Sequence, residues 1–249
     1  MLKVVSLLSG GADSATLLYY LLTLPDVVEI APLAINYGQR HKKELDSAKV
    51  LVTKLQNLIT DHQKQDLRAK LKKVHDLKVV DFPIGTFGGS PLVDLETPVP
   101  EQTEGLQATT VVPYRNMLLA TLAASYAKSL NFNSIALGPT IEDMPNYPDC
   151  RPMFIKSLMD TLRLGDTIHN MAVLVPLIDL NKAEVYSIGK TLNVPYKDTW
   201  TCYNGREKAC GVCDSCKERI EGFAMIGEKD PLDYEIEIDW KAEQEKYRK

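Results

Sequence analysis

Apolar residues along the chain fall into short unbroken runs separated by segments with helical spacing. Val4 to Leu8, Val27 to Tyr37, Val79 to Phe82, Ser134 to Leu137 and Val173 to Pro176 are too short for ordinary helices, and they predict five buried strands. The segments between them predict helices over Ala15–Leu22, Lys42–Leu58, Met117–Leu130 and Met153–Leu164. In the second helix Leu45, Ala48, Leu51, Val52, Leu55 and Leu58 recur every three or four residues, the mark of one buried face. A fifth helix opens at Leu180-Asn181-Lys182-Ala183-Glu184-Val185, with Asn181 as its N-cap. Strand and helix alternate from the start. That order predicts an α/β fold, a doubly wound parallel five-stranded sheet with right-handed crossovers. Ligands in such folds gather at the carboxyl ends of the strands.

The turn after the first strand carries the clearest chemistry. Ser9-Gly10-Gly11-Ala12-Asp13-Ser14 joins a buried strand to a helix, with Asp or Ser expected in the capping position. Adjacent glycines let the backbone approach a ligand without Cβ clashes. The free N–H groups of a helix start favour an anion, so the turn predicts a phosphate cradle. The string has no Walker lysine and does not match GxGxxG. The turn Asn36-Tyr37-Gly38-Gln39-Arg40-His41 lies at the same rim.

Three further stretches bear on this rim. The region 83–110, rich in Pro, Gly and Thr, is the longest irregular segment and predicts a mobile active-site cover. Arg115 and Asn116 start a helix, where a guanidinium is unfavourable for the helix dipole unless an anion sits beside it; a surface Arg is the alternative. The loop Glu142 to Arg151 offers carboxylates, the stacking face of Tyr147 and the fork of Arg151, a set suited to a polar planar ligand. Lys182 can reach a phosphate, or be a solvated lysine.

Composition narrows the class. Apolar residues make up 45% and charged residues 25% of 249, which suits one globular α/β domain with a small appendage. Boundaries are expected at 1–198 for the nucleotide-binding domain and 199–249 for the tail. The formal net charge of −4 gives no global signature for nucleic acid. The charged run 60–78, with Lys64, Arg68, Lys70, Lys72 and Lys73, reads as a solvated helix face rather than an RNA-binding patch. No secretory leader or long apolar span is visible, so a cytoplasmic protein without membrane attachment is expected.

Four of the five cysteines, Cys202, Cys210, Cys213 and Cys216, follow the spacing C-x7-C-x2-C-x2-C. Such clustering favours a metal over a disulfide framework. Four thiolates suit one tetrahedral zinc ion with no open position, hence a structural site. An iron–sulfur cluster is the rival. Cys150 stands alone, as a nucleophile beside Arg151 or as a buried structural thiol.

The SGGADS turn resembles the SGGxDS loop of the PP-loop ATP pyrophosphatases, which share the adenine nucleotide alpha hydrolase-like fold. With VVPYRN, YPDCRP, the LNKAEV segment and TWTCYNG…CGVCDSC, the chain resembles the 7-cyano-7-deazaguanine synthases, the QueC family, from residue 4 to about residue 223. The resemblance implies ATP with Mg²⁺ and one structural zinc. It implies that ATP adenylates the carboxylate of 7-carboxy-7-deazaguanine and that ammonia displaces AMP to give the amide. A second ATP then activates the amide oxygen, and loss of AMP leaves the nitrile, preQ0. ATP is expected along Leu8, Ser9, Gly10, Gly11, Ala12, Asp13, Ser14, Ala15, Thr16, Leu17 and Leu18. Asp13, Ser14, Arg115 and Lys182 are expected to be catalytic. Asn116, Gly138, Asp143, Tyr147, Asp149 and Arg151 are expected to hold the substrate. The partners implied are small molecules only, and the oligomer a homodimer. Residues 60–78 look like an insertion, and the first cysteine gap is about one residue short of the family pattern. These departures leave room for a specialised paralogue that amidates or conjugates the carboxylate, or for another PP-loop tRNA-modifying enzyme. A non-catalytic nucleotide-binding protein is the third reading.

Overall fold

The structure, a computed structural model, describes residues 1–40, 42–60, 72–94, 96–99 and 110–248. The strands are β1 (Leu2–Leu7), β2 (Val27–Asn36), β3 (Lys73–Val74), β4 (Lys78–Asp81), β5 (Ser134–Ala136) and β6 (Ala172–Leu174). The longer helices are α1 (Ala12–Leu21), α2 (Lys43–Thr60), α3 (Arg115–Ser129), α4 (Pro152–Leu164), α5 (Lys182–Thr191) and α6 (Asp214–Met225), followed by the short α7 (Trp240–Glu245). All strand pairings are parallel, in the order β3-β2-β1-β5-β6, with β4 also on β2. Among the described residues, no helix is long and apolar enough to cross a membrane.

The predicted doubly wound sheet is there, with one difference. Its outer edge beside β2 is broken into two strands. β3 pairs with Glu29 and Ile30, and β4 with Leu33 to Asn36. The cause is Pro32. The carbonyls of Ile30 and Asn36 bond His75 and Phe82 on this edge, whereas that of Leu33 bonds Leu8 on the other side. Even-numbered positions of β2 therefore face the edge, and Pro32 has no N–H to offer there. The ladder breaks where the donor is missing.

The strands are apolar on both faces because helices cover both. Val4, Ile30 and Ala34 point into one core with α1, α2 and α5, and Val5, Ala31 and Leu33 into the other with α3 and α4. The charged run differs from expectation where it is described. Lys72 is buried, and its ammonium donates to the carbonyls of Leu21 and Leu24 at the end of α1. Lys73 lies in β3 and pairs with Glu29. Lys64, Arg68 and Lys70 lie outside the described residues.

The tail is tied to the main body. Phe223 of α6 stacks on Tyr186 of α5 with ring centroids 4.4 Å apart, inside the first core. The Arg219–Asp230 pair is completely buried, with Nε to Oδ2 at 2.6 Å and Nη2 to Oδ1 at 2.9 Å. Arg219 also donates to Thr199 Oγ1 and the Tyr196 carbonyl. Removing one member strands the other charge. Arg219→Ala is therefore expected to lose roughly 3–5 kcal/mol of unfolding free energy, measured by urea titration. A loss below about 1 kcal/mol would show that Asp230 finds water or another partner.

Candidate active site

β1 delivers the chain to the Ser9–Ser14 turn. Gly10 has φ +98°, and a Cβ there would stand 2.0 Å from the Glu44 carbonyl oxygen. Only glycine fits, because both the dihedral and the approach of α2 exclude a side chain. The helix starts at Ala12, three residues earlier than the Ala15 start the sequence suggests. Its N-cap is Gly11, with no side-chain cap, so Asp13 and Ser14 sit in the first turn and neither caps it. Ser9 Oγ instead accepts the Gly11 N–H at 3.1 Å and lies 3.0 Å from Ser14 Oγ. Ser14 Oγ donates to the Gly11 carbonyl. The turn is thus closed on itself while the amides of the first helical turn remain available to an anion.

The cleft at this turn gathers Ser9, Gly11, Asp13 and Ser14 with Arg115, Asn116, Gly138, Asp143 and Asp149. Leu8, Ala12, Ala15, Leu17 and Leu18 are core side chains behind the turn. Thr16 is buried too, donating to the Ala12 carbonyl and lying 2.7 Å from the Tyr196 hydroxyl. Tyr37 reaches the cleft from the end of β2, as the rim argument predicts. His41 lies outside the described residues.

Lys182 is a buried lysine, its Nζ 2.7 Å from Asp13 Oδ2. Burial alone would lower its pKa, but the carboxylates of Asp13, Asp143 and Glu218 outweigh that and hold it well above the usual lysine range. The predicted capping box of α5 is present: Asn181 Oδ1 accepts the Glu184 N–H, and Glu184 Oε2 accepts the Asn181 N–H. Asp13 Oδ1 is buried with no hydrogen-bond partner among the described residues. An orphaned carboxylate oxygen beside a phosphate cradle is the donor type that suits Mg²⁺.

Arg115 is the first residue of α3 and follows Tyr114 in the left-handed region, φ 57°. Burial opposes its charge, but Tyr37, Tyr147 and Tyr203 favour it and its pKa is raised. Its guanidinium lies 5.9 Å from the Tyr147 ring centroid. The surface alternative for Arg115 does not hold, since it lines the cleft.

The recognition loop is braced more than it is free. Asp149 accepts from the Asn116 N–H at 3.1 Å and from its side-chain amide at 3.3 Å, so it caps α3. Asp143 accepts from the Thr140 N–H and hydroxyl. Arg151 donates to the carbonyls of Met144 and Pro145 and is not among the cleft-lining residues. Tyr147 bonds Thr110 through its hydroxyl at 2.9 Å. Cys150 is buried, and desolvation with Asp143 and Asp149 nearby pushes its thiol up to about 12. That fits the structural alternative and opposes a nucleophile. In the region 83–110, residues Ile84–Phe87 form a 3₁₀ turn, Leu92 lines the cleft, and Arg40 binds the carbonyls of Asp94 and Thr97.

The four cysteines converge from C-x7-C-x2-C-x2-C to a group whose sulfurs all lie within 4.8 Å of one another, all buried. Tetrahedral zinc at the usual bond length sets sulfurs about 3.8 Å apart, so the donor set fits such an ion. The Cys210 N–H points at Cys202 Sγ, and the Cys213 N–H at Cys210 Sγ. Gly211, φ +76°, allows the knuckle turn, and a Cβ there would lie 2.6 Å from Ile236. This knuckle reaches the cleft. The Trp200 N–H bonds the Gly10 carbonyl at 2.9 Å, and Thr201, Tyr203 and Ser215 line the wall. Sequence reasoning missed these three and Glu44, because a wall residue on a metal turn or a helix start has no signature spacing.

The family model described as queuosine biosynthesis protein QueC matches residues 3–227. A 7-cyano-7-deazaguanine synthase of Picrophilus torridus is 40% identical over 94% of this chain and 92% of that protein. One from Caldicellulosiruptor bescii is 38% identical over 96% of this chain and all of that protein, and one from Trichodesmium erythraeum 36% over 93% and all. The glycine turn, the basic pair of Arg115 and Lys182 and the cysteine knuckle fall within one matched span, and the chain belongs to the QueC family.

Proposed function

We propose that this chain is an ATP-dependent ligase that converts 7-carboxy-7-deazaguanine and ammonia to 7-cyano-7-deazaguanine, releasing AMP and pyrophosphate. The carrying observation is the Asp13–Lys182 pair at the mouth of an uncapped helix, with Asp13 lining the cleft that Arg115 also lines. The relatives' names supply the product. Oxide and hydroxide are poor leaving groups, so the carboxylate oxygen must be converted into one that leaves as AMP. The first-turn amides of α1 hold the phosphates, with Ser9 and Ser14 fixing the turn. Lys182 and Arg115 stabilise negative charge that grows on pyrophosphate as it departs. Mg²⁺, held by Asp13, supplies further charge neutralisation when bound.

Ammonia then attacks the acyl adenylate, and a second adenylation of the amide oxygen lets AMP leave as the nitrile forms. Both rounds use one cleft, and neither needs a covalent enzyme intermediate because the adenylated oxygen already leaves as AMP. Tyr37 and Tyr203, which line the cleft with Arg115, suit a flat heterocycle, and Tyr147 lies against Arg115 without lining the cleft. Asn116, Gly138, Asp143 and Asp149 complete that wall, and Arg151 acts on the ligand through the loop it braces. The metal is zinc in a structural role. A homodimer, a cytoplasmic setting and the absence of a nucleic-acid partner belong to the same reading, supported by the family resemblance and the acidic balance of the chain.

Incubation with ATP, Mg²⁺, ammonium and 7-carboxy-7-deazaguanine is expected to yield preQ0 with two AMP for each nitrile. Amide as the sole product would identify the specialised paralogue, and AMP formed only with tRNA would refute the reading. Lys182→Ala is expected to cut turnover roughly 10²–10³-fold, measured at a temperature at which circular dichroism shows the variant folded. Near wild-type turnover would remove Lys182 from the phosphate site. Metal analysis is expected to find about one zinc per chain. Stripping it with a chelator should raise the ATP Kd, because the Trp200–Gly10 bond ties the knuckle to the turn. Iron in that analysis, or unchanged ATP affinity after stripping, would contradict the assignment.

A further inference from the structure

Glu142 has no role in the mechanism above, yet it is wired into it. It stands in the 3₁₀ turn Ile141–Asp143, just beyond β5. Its Oε1 accepts the backbone N–H of Lys182 at 2.9 Å. The next contact repeats the link, since the Ile141 N–H donates to the Leu180 carbonyl at 3.1 Å. The first turn of α5 has orphan N–H groups, as every helix does. The Asn181–Glu184 box serves one of them from within α5, and Glu142 serves that of Lys182 from another element. The carboxylate also sits at the positive end of the helix dipole. Its second oxygen, Oε2, is buried without a hydrogen-bond partner among the described residues. Retaining a carboxylate with one unserved oxygen is costly, which argues that the other oxygen does something a smaller residue cannot.

A lysine ammonium on four methylenes goes where its backbone lets it reach. The Lys182 backbone is fixed at its N–H by Glu142, and its ammonium meets Asp13 in the first turn of α1. We infer that Glu142 is a positioning residue for Lys182, clamping the start of α5 to the chain leaving β5 so that the ammonium meets the phosphate turn. The recognition loop continues directly from that clamp. The inference rests on the ATP-site part of the proposed function and not on the identity of the acceptor.

The test is a double-mutant cycle on the affinity for ATP with Mg²⁺, measured by calorimetry on the full chain. Glu142→Ala is expected to weaken ATP binding about tenfold in the wild-type background. In the Lys182→Ala background it is expected to change affinity less than about twofold, because its effect passes through that lysine. Glu142→Gln keeps an oxygen for the Lys182 N–H and is expected to recover affinity to within about fivefold of wild type. Equal losses from Glu142→Ala in both backgrounds would overturn the role, as would Glu142→Gln failing to rescue while its melting temperature holds. Wild-type protein that binds ATP but forms no nitrile would sink the proposed reaction and leave this role standing. Wild-type protein that does not bind ATP would overturn both.

Discussion

Gly10 is the point on which the site depends. A residue without a side chain lets three parts of the chain meet: the turn itself, the start of α2 through the Glu44 carbonyl, and the knuckle through the Trp200 N–H. Any Cβ would push α2 away from the turn by more than an ångström. The Ser9–Ser14 turn, the wall at Glu44 and the cysteine-knuckle wall at Thr201 would then separate. The fold brings these elements to one rim because all strands run the same way and end there.

Charge is arranged around that contact in two unlike ways. Lys182 is buried and matched by carboxylates, which hold its pKa well above the usual lysine range. Arg115 is held by tyrosines instead, which stabilise a cation without neutralising it. A cation already paired by Asp13 contributes less net charge to a phosphate than one surrounded by aromatic rings. In the proposed reaction the two basic groups differ in setting: Lys182 is held by Asp13, and Arg115 lines the cleft beside tyrosines. Glu218 belongs to the same group of charges as Lys182; burial raises its pKa to about 7, with the lysine pulling the other way.

Much of this was legible in the residues, because strong local rules were obeyed. The apolar runs marked β1, β2 and β5 since parallel strands covered on both faces need them. Asn181 and Glu184 marked the start of α5 by a reciprocal cap that is purely local. The cysteine spacing gave a four-sulfur group for the same reason. What was not legible depended on distant contacts. Arg151 looks like a free fork in the loop, but the carbonyls of Met144 and Pro145 engage it, and Asp149 lines the cleft while also accepting from the start of α3. Lys72 looks solvated until the end of α1 offers it two carbonyls. The broken edge follows from Pro32, a local signal whose effect depends on which neighbour its missing N–H would have served.

The proposed reaction requires that each carboxyl oxygen leave the substrate as part of AMP. With both carboxyl oxygens of 7-carboxy-7-deazaguanine labelled as ¹⁸O, mass spectrometry of the products tests it directly. The account predicts one labelled oxygen in each of two AMP molecules, none in pyrophosphate and none in the nitrile. Label in pyrophosphate or in inorganic phosphate would contradict it.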